Sequence, residues 1–304
     1  MRCRLAALCL LLSACSGDPA SLDGPTQAIV ARDGLVYVTD GYFHARIAVF
    51  TPEGRFVRAW GSKGFELGQM QTPHGIVQTP DETLLVADRD NGRLQWFTTS
   101  GAFVKSVRSD ELGRPWSVAQ LEDGTLFAAD GGDQRPEAER AGIVQLDASG
   151  SIIQRFGHFG TGQGELDEPH MLAVSESAEV FVAELGTHRL QRFSPRADCD
   201  EAGQACDYEV SLDWPALDRP GLTPLSIAVD EDHVYVGHQG QPPSIWVLDR
   251  TTGNFQTTLA EGAFERPHGL FIAEDRTLWV ADDYGDQVVH LAADGSVLGT
   301  LGKL

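Results

Sequence analysis

Pro73-His74-Gly75-Ile76-Val77, Pro169-His170-Met171-Leu172-Ala173-Val174 and Pro267-His268-Gly269-Leu270-Phe271-Ile272 are one phrase written three times: a proline, a histidine, then an apolar run. The same slot recurs without histidine at Pro25-Thr26-Gln27-Ala28-Ile29-Val30, Pro115-Trp116-Ser117-Val118-Ala119 and Pro224-Leu225-Ser226-Ile227-Ala228-Val229, giving six copies spaced by 42 to 55 residues. A period of this size marks repeat architectures, in which one unit cannot bury its apolar face alone. Histidine occupies the second, fourth and sixth copies. If six equal units close into a ring, alternate units lie about 120° apart, and three imidazoles at equivalent positions converge on the axis. Ring symmetry alone therefore gives a reason to expect a metal.

Within each copy a polar turn follows the first apolar run, and a second run then ends in an acid: Val38-Thr39-Asp40, Val86-Ala87-Asp88, Ala128-Ala129-Asp130, Val182-Ala183-Glu184 and Val280-Ala281-Asp282. The offset from proline to acid is 15 in these five copies, and the fifth copy ends instead at His238 with an offset of 14. Alternating strands such as Arg46 to Phe50 and Arg93 to Phe97 come next, then Gly turns, then a fourth short strand such as Phe56 to Trp60. Four antiparallel strands per unit make a propeller blade, so the expected fold is all-β, a six-bladed β-propeller over residues 25–304. Connectivity puts the proline-histidine corners, the residues after each acid and the long links 61–72 and 157–168 on one face, where function is expected. No unit clearly borrows a strand from the other end of the chain, which leaves ring closure open.

At 304 residues with 42% apolar and 22% charged residues, the chain can bury one large core without splitting into domains. Met1-Arg2-Cys3-Arg4 and the apolar residues Leu5 to Leu12 read as a secretory signal, too short for a mature transmembrane helix. Leu12-Ser13-Ala14-Cys15 resembles the bacterial lipobox. The expectation is cleavage after residue 14, lipid on Cys15 and a tether over 15–24, in an exported lipoprotein of the cell envelope. Membrane contact is then expected only through that lipid, and the chain is taken as a monomer. Losing Arg2 and Arg4 moves the formal charge from −21 to −23, an acidic surface that repels phosphate backbones and argues against nucleic-acid partners. Cys199 and Cys206, in an exported chain, are expected to form a local disulfide.

Phe156-Gly157, Gly160, Gly162, Gly164, Leu166 and Pro169 resemble an NHL repeat. Val38-Thr39-Asp40-Gly41-Tyr42-Phe43-His44-Ala45-Arg46-Ile47, Val86-Ala87-Asp88-Arg89-Asp90-Asn91-Gly92-Arg93-Leu94-Gln95 and the three Pro-His corners are more specific. Together they resemble the peptidyl-α-hydroxyglycine α-amidating lyases, NHL propellers that split a C-terminal hydroxyglycine into a peptide amide and glyoxylate. The resemblance covers Pro25 to about Leu291 with the blade order permuted. It implies that His74, His170 and His268 hold Zn²⁺, that Tyr42 is the active-site tyrosine, which also contacts substrate, and that Arg89 holds the substrate. Three neutral imidazoles suit zinc and leave a fourth position open.

The chain departs from that family at three positions. Gln239 stands where the family has a second substrate-binding arginine. Met171 replaces the aspartate that helps hold a structural calcium through two backbone carbonyls, matching Ile227 and Leu270, which counts against calcium here. Glu168 replaces a methionine two residues before a zinc histidine. The resulting expectation is a zinc lyase acting on a carbinolamide, with a peptide C-terminus or a small molecule as substrate. The alternative is a non-catalytic cell-surface binding module with a structural or vestigial metal. A calcium lactonase ranks last, because no set of Asp, Glu and Asn fills the first-strand slots.

Overall fold

A computed structural model of the chain describes residues 18–132, 140–196, 207–214 and 223–302. Six four-stranded antiparallel sheets follow one another, each built from four consecutive strands paired in chain order. Blade I comprises Pro25–Val30, Val36–Asp40, Arg46–Phe50 and Phe56–Trp60. The inner strands of blades II to VI are Pro73–Gln78, Pro115–Gln120, Pro169–Val174, Pro224–Val229 and Pro267–Ile272. The six proline slots of the sequence are thus the first residues of six inner strands. Among the described residues the helical content is one 3-10 turn, Arg89–Asn91.

Second strands carry β-formers on both faces, and in every blade but V they are buried from end to end, as Leu84–Asp88 is, because neighbouring blades cover both sides. Apolar clusters therefore sit between blades. Ile29, Tyr37, Val49, Ile76, Val86 and Phe97 join blades I and II, while Val36, Val38, Trp279 and Leu301 join blade I to blade VI. The last pairing answers how the ring closes. Among the described residues no strand is exchanged; the inner strands of I and VI pack together, Leu22 N–H donates to the Gly302 carbonyl at 3.4 Å and Gly24 N–H to Asp286 at 2.9 Å.

The acids at offset 15 fix the corners. Each is fully buried and accepts a main-chain N–H from the link entering its own blade: Asp40 from Asp23, Asp88 from Gln71 and Glu184 from Asp167, at 2.8, 2.8 and 3.0 Å. Asp130 takes Arg114 N–H at 2.9 Å, and Asp282 takes Arg266 N–H at 2.7 Å. A second oxygen then binds an arginine in several blades, as Asp88 binds Arg93 Nε at 2.7 Å and Glu184 binds Arg189 Nε at 2.9 Å. The carboxylate therefore staples the incoming link beside the proline-histidine corner. In blade V, His238 takes the slot, accepting Gly240 N–H at 2.9 Å.

One expectation is corrected. The Cys199–Cys206 disulfide finds no support: no cysteine pair lies at bonding distance among the described residues, and both of these cysteines lie outside them. A bridge needs Cα atoms within about 7 Å and converging Cβ vectors, neither of which a short spacing in sequence imposes. The signal segment 1–14 and Cys15 also lie outside the described residues.

Asp88→Ala removes the acceptor of Gln71 N–H, Asn91, Arg93 and Gln95 at once. Breaking a buried ion pair from one side is expected to cost about 3–5 kcal/mol, read as a lower urea midpoint. A loss under about 1 kcal/mol, the level of an exposed pair, would show that the corner does not depend on this clamp.

Candidate metal centre

His74, His170 and His268 are buried at the start of the inner strands of blades II, IV and VI, and one ligand atom from each lies within 4.8 Å of the others. Their ring centroids are 4.6 to 5.0 Å apart. The alternating-blade convergence expected from the repeat is what the fold produces.

The intervening blades orient these rings. His74 Nδ1 donates to the Trp116 carbonyl at 2.7 Å, His170 Nδ1 to Leu225 at 2.6 Å and His268 Nδ1 to Thr26 at 2.8 Å. Trp116, Leu225 and Thr26 occupy the histidine slot in blades III, V and I. A carbonyl oxygen only accepts, so each Nδ1 carries the proton and each neutral ring keeps its Nε2 lone pair. Gly269 makes one of these approaches possible: a Cβ there would stand 2.3 Å from the Thr26 oxygen.

The electrostatics keep the rings neutral. Burial, with the nearby Arg89 charge, holds His74 well below the ordinary imidazole value, and burial with the neighbouring His268 does the same for His170. His268 is pushed down to about 3, again mainly by burial. His74 Nε2 is buried with no hydrogen-bond partner. An orphaned lone pair in a set of three neutral imidazoles is what a soft-to-borderline cation such as zinc takes up, so the donor set fits that ion.

Tyr42 and Arg89 join the centre. Tyr42 Oη donates to His268 Nε2 at 2.8 Å, and burial raises its pKa, partly offset by Arg89. The phenol therefore stays protonated at neutral pH. The Arg89 guanidinium carbon lies 5.4 Å from the Tyr42 ring and 4.8 Å from the Trp116 ring, with Nε held by Asp90 at 3.1 Å. A groove of about 890 Å³, lined by Arg89, Arg108 and Arg114 among others, opens beside it.

The departures are also visible. Gln239 is exposed, tied by its N–H to the Thr223 carbonyl at 3.0 Å. Met171 is buried in the apolar cluster of Phe181, Ile227 and Trp246, and Ile227 and Leu270 line an axial cavity of about 620 Å³ beyond the histidines. No carboxylate faces the axis from the Met171 position, so the calcium expectation gains nothing. Glu168 stands half-buried with φ of 49° and a pKa raised by burial. Trp116 and Arg266 escaped sequence reasoning. Repeat equivalence is the signal that could have found them, since Trp116 shares the slot of the histidines and Arg266 sits two residues before His268.

An NHL repeat family model matches residues 70–97. The peptidylglycine alpha-amidating monooxygenase of Rattus norvegicus is 34% identical over 181 residues, 56% of this chain and 18% of that protein. The peptidyl-alpha-hydroxyglycine alpha-amidating lyase 1 of Drosophila melanogaster is 30% identical over 197 residues, 57% of this chain and 35% of that protein. The chain thus spans well under half the length of these relatives. A solved streptogramin B lyase superposes with a TM-score of 0.64 over 95% of this chain and 85% of its own, at 13% identity, a likeness of fold.

Protein purified with zinc should hold about one equivalent by elemental analysis, and His74→Ala, His170→Ala or His268→Ala should each weaken binding by at least about 100-fold. Unchanged zinc affinity in one variant would remove that histidine from the centre.

Proposed function

We propose that this six-bladed NHL propeller, distantly related in sequence to the amidating lyases, is itself a metal-dependent carbon–nitrogen lyase. Its substrate would be a peptidyl-α-hydroxyglycine-type carbinolamide, R–CO–NH–CH(OH)–COO⁻, and its products an amide and glyoxylate. The observation carrying this reading is the protonated Tyr42 phenol 2.8 Å from the Nε2 of an imidazole triad whose tautomers are all fixed. The Nε2 atoms of His74, His170 and His268 would hold the ion. When bound, zinc supplies a Lewis acid that lowers the pKa of a hydroxyl group.

The residues of the chain account for the rest. The substrate hydroxyl must lose a proton, its C–O become C=O, the C–N bond break with its electrons going to nitrogen, and that nitrogen gain a proton. Tyr42 has the properties of a shuttle for this exchange: a half-buried phenol, protonated at rest, placed between a metal-binding imidazole and the Arg89 guanidinium. Arg89 would pair with the substrate carboxylate through its terminal nitrogens while Asp90 and the Trp116 ring hold it still. The groove beside Arg89 gives room for the peptide portion.

The test is glyoxylate release from an α-hydroxyglycine peptide by the zinc-loaded chain. Tyr42→Phe should abolish the zinc-dependent rate, and Arg89→Ala should raise KM about ten-fold or more. No glyoxylate above the metal-free control would replace the enzyme with the binding-module reading, which the exposed neutral Gln239 favours.

A further inference from the structure

Arg266 stands immediately before the proline of the sixth corner, two residues from His268. In other blades the residue in this slot is bonded, main chain to main chain, to the residue following the second strand's last position. Arg89 N–H donates to the Thr72 carbonyl, Leu185 to Glu168 and Gln239 to Thr223, each at 3.0 Å. The two slots are therefore neighbours on the rim that surrounds the histidines. Blade II carries its cation, Arg89, in one of them. Blade VI carries its cation, Arg266, in the other, with Asp283 where blade II has Arg89.

The guanidinium of Arg266 is held from two sides. Its Nε donates to buried Asp283 at 2.8 Å, its Nη2 also pairs with Asp283, and its Nη1 donates to Tyr284 Oη at 3.0 Å while the plane lies over the Tyr284 ring at 3.8 Å. These bonds use three of the five N–H groups of an arginine, leaving one on each terminal nitrogen. The side chain is 18% exposed, so it is neither sealed in the core nor free in solvent. Blade I stands between blades VI and II in the ring, and its Tyr42 is bonded to His268 and flanked by the Arg89 guanidinium. The Arg266 charge also contributes, behind burial, to keeping His268 unprotonated.

We infer that Arg266 is a second carboxylate-binding cation of the centre, supplying from blade VI the charge that Gln239 does not supply from blade V. This rests on the substrate class proposed above, a molecule with a carboxylate beside the reacting carbon. Asp283 positions the guanidinium, and the two remaining N–H groups are the ones offered to substrate.

The assignment is tested on the zinc-loaded full chain with two labelled tripeptides that lack the scissile hydroxyl, one ending in glycine carboxylate and the other in glycinamide. The protein should prefer the carboxylate. Arg266→Gln combined with Asp283→Asn, which leaves no lone buried charge, should lower that preference about ten-fold, and Arg266→Lys should keep part of it. Gln239→Arg should raise it by less than about three-fold, because a second cation is already present. A double variant with native zinc content that retains the full preference, while Arg89→Ala loses it, would overturn the assignment. An Arg266-dependent preference without any glyoxylate release would support it and refute the lyase reading instead.

Discussion

The centre depends on one kind of hydrogen bond, from a histidine Nδ1 of an even blade to a main-chain carbonyl of the following odd blade. Side-chain tautomers are set by such partners, and here the partner is backbone, which no side-chain substitution in the odd blades removes. The bond fixes ring plane, tautomer and direction together. Burial then keeps the three rings uncharged, so that three lone pairs meet on the axis without three positive charges meeting there. Closing the ring is part of the site, because His268 of the last blade relies on Thr26 of the first.

A second constraint holds the corners from which these bonds are made. Each buried acid at the end of a second strand takes the N–H of the incoming link, and arginines inside the same blades neutralise several of them. The rim above the histidines is consequently rigid enough to carry charges of chosen sign at equivalent positions. Arg89, Glu168, Gln239, Arg266 and Asp283 are variations on two repeating slots, and their differences from blade to blade give a sixfold scaffold an asymmetric mouth.

The architecture was legible because its signal is periodic. Six prolines, with an offset of 15 to an acid in five of the six copies, predict inner strands, second strands and blade number, and the strands begin at those prolines. Alternation of histidine predicts the triad. What was not legible lies between repeats. The carbonyl acceptors have no side-chain signature, the seam at Leu22 and Gly302 joins opposite ends of the chain, and Arg266 gains its meaning only from the neighbouring slot. The Cys199–Cys206 expectation shows the limit of reasoning from spacing and compartment alone, since neither carries the geometry a bridge requires.

The central claim is that the fold presents three neutral imidazoles, each protonated at Nδ1 and bare at Nε2, before any ion arrives. Long-range ¹H–¹⁵N correlation spectra of the metal-free protein at neutral pH measure this ring by ring. The account predicts the Nδ1–H tautomer for His74, His170 and His268, with Nε2 shifting on addition of zinc. An imidazolium, or an Nε2–H tautomer, at any of the three would contradict it.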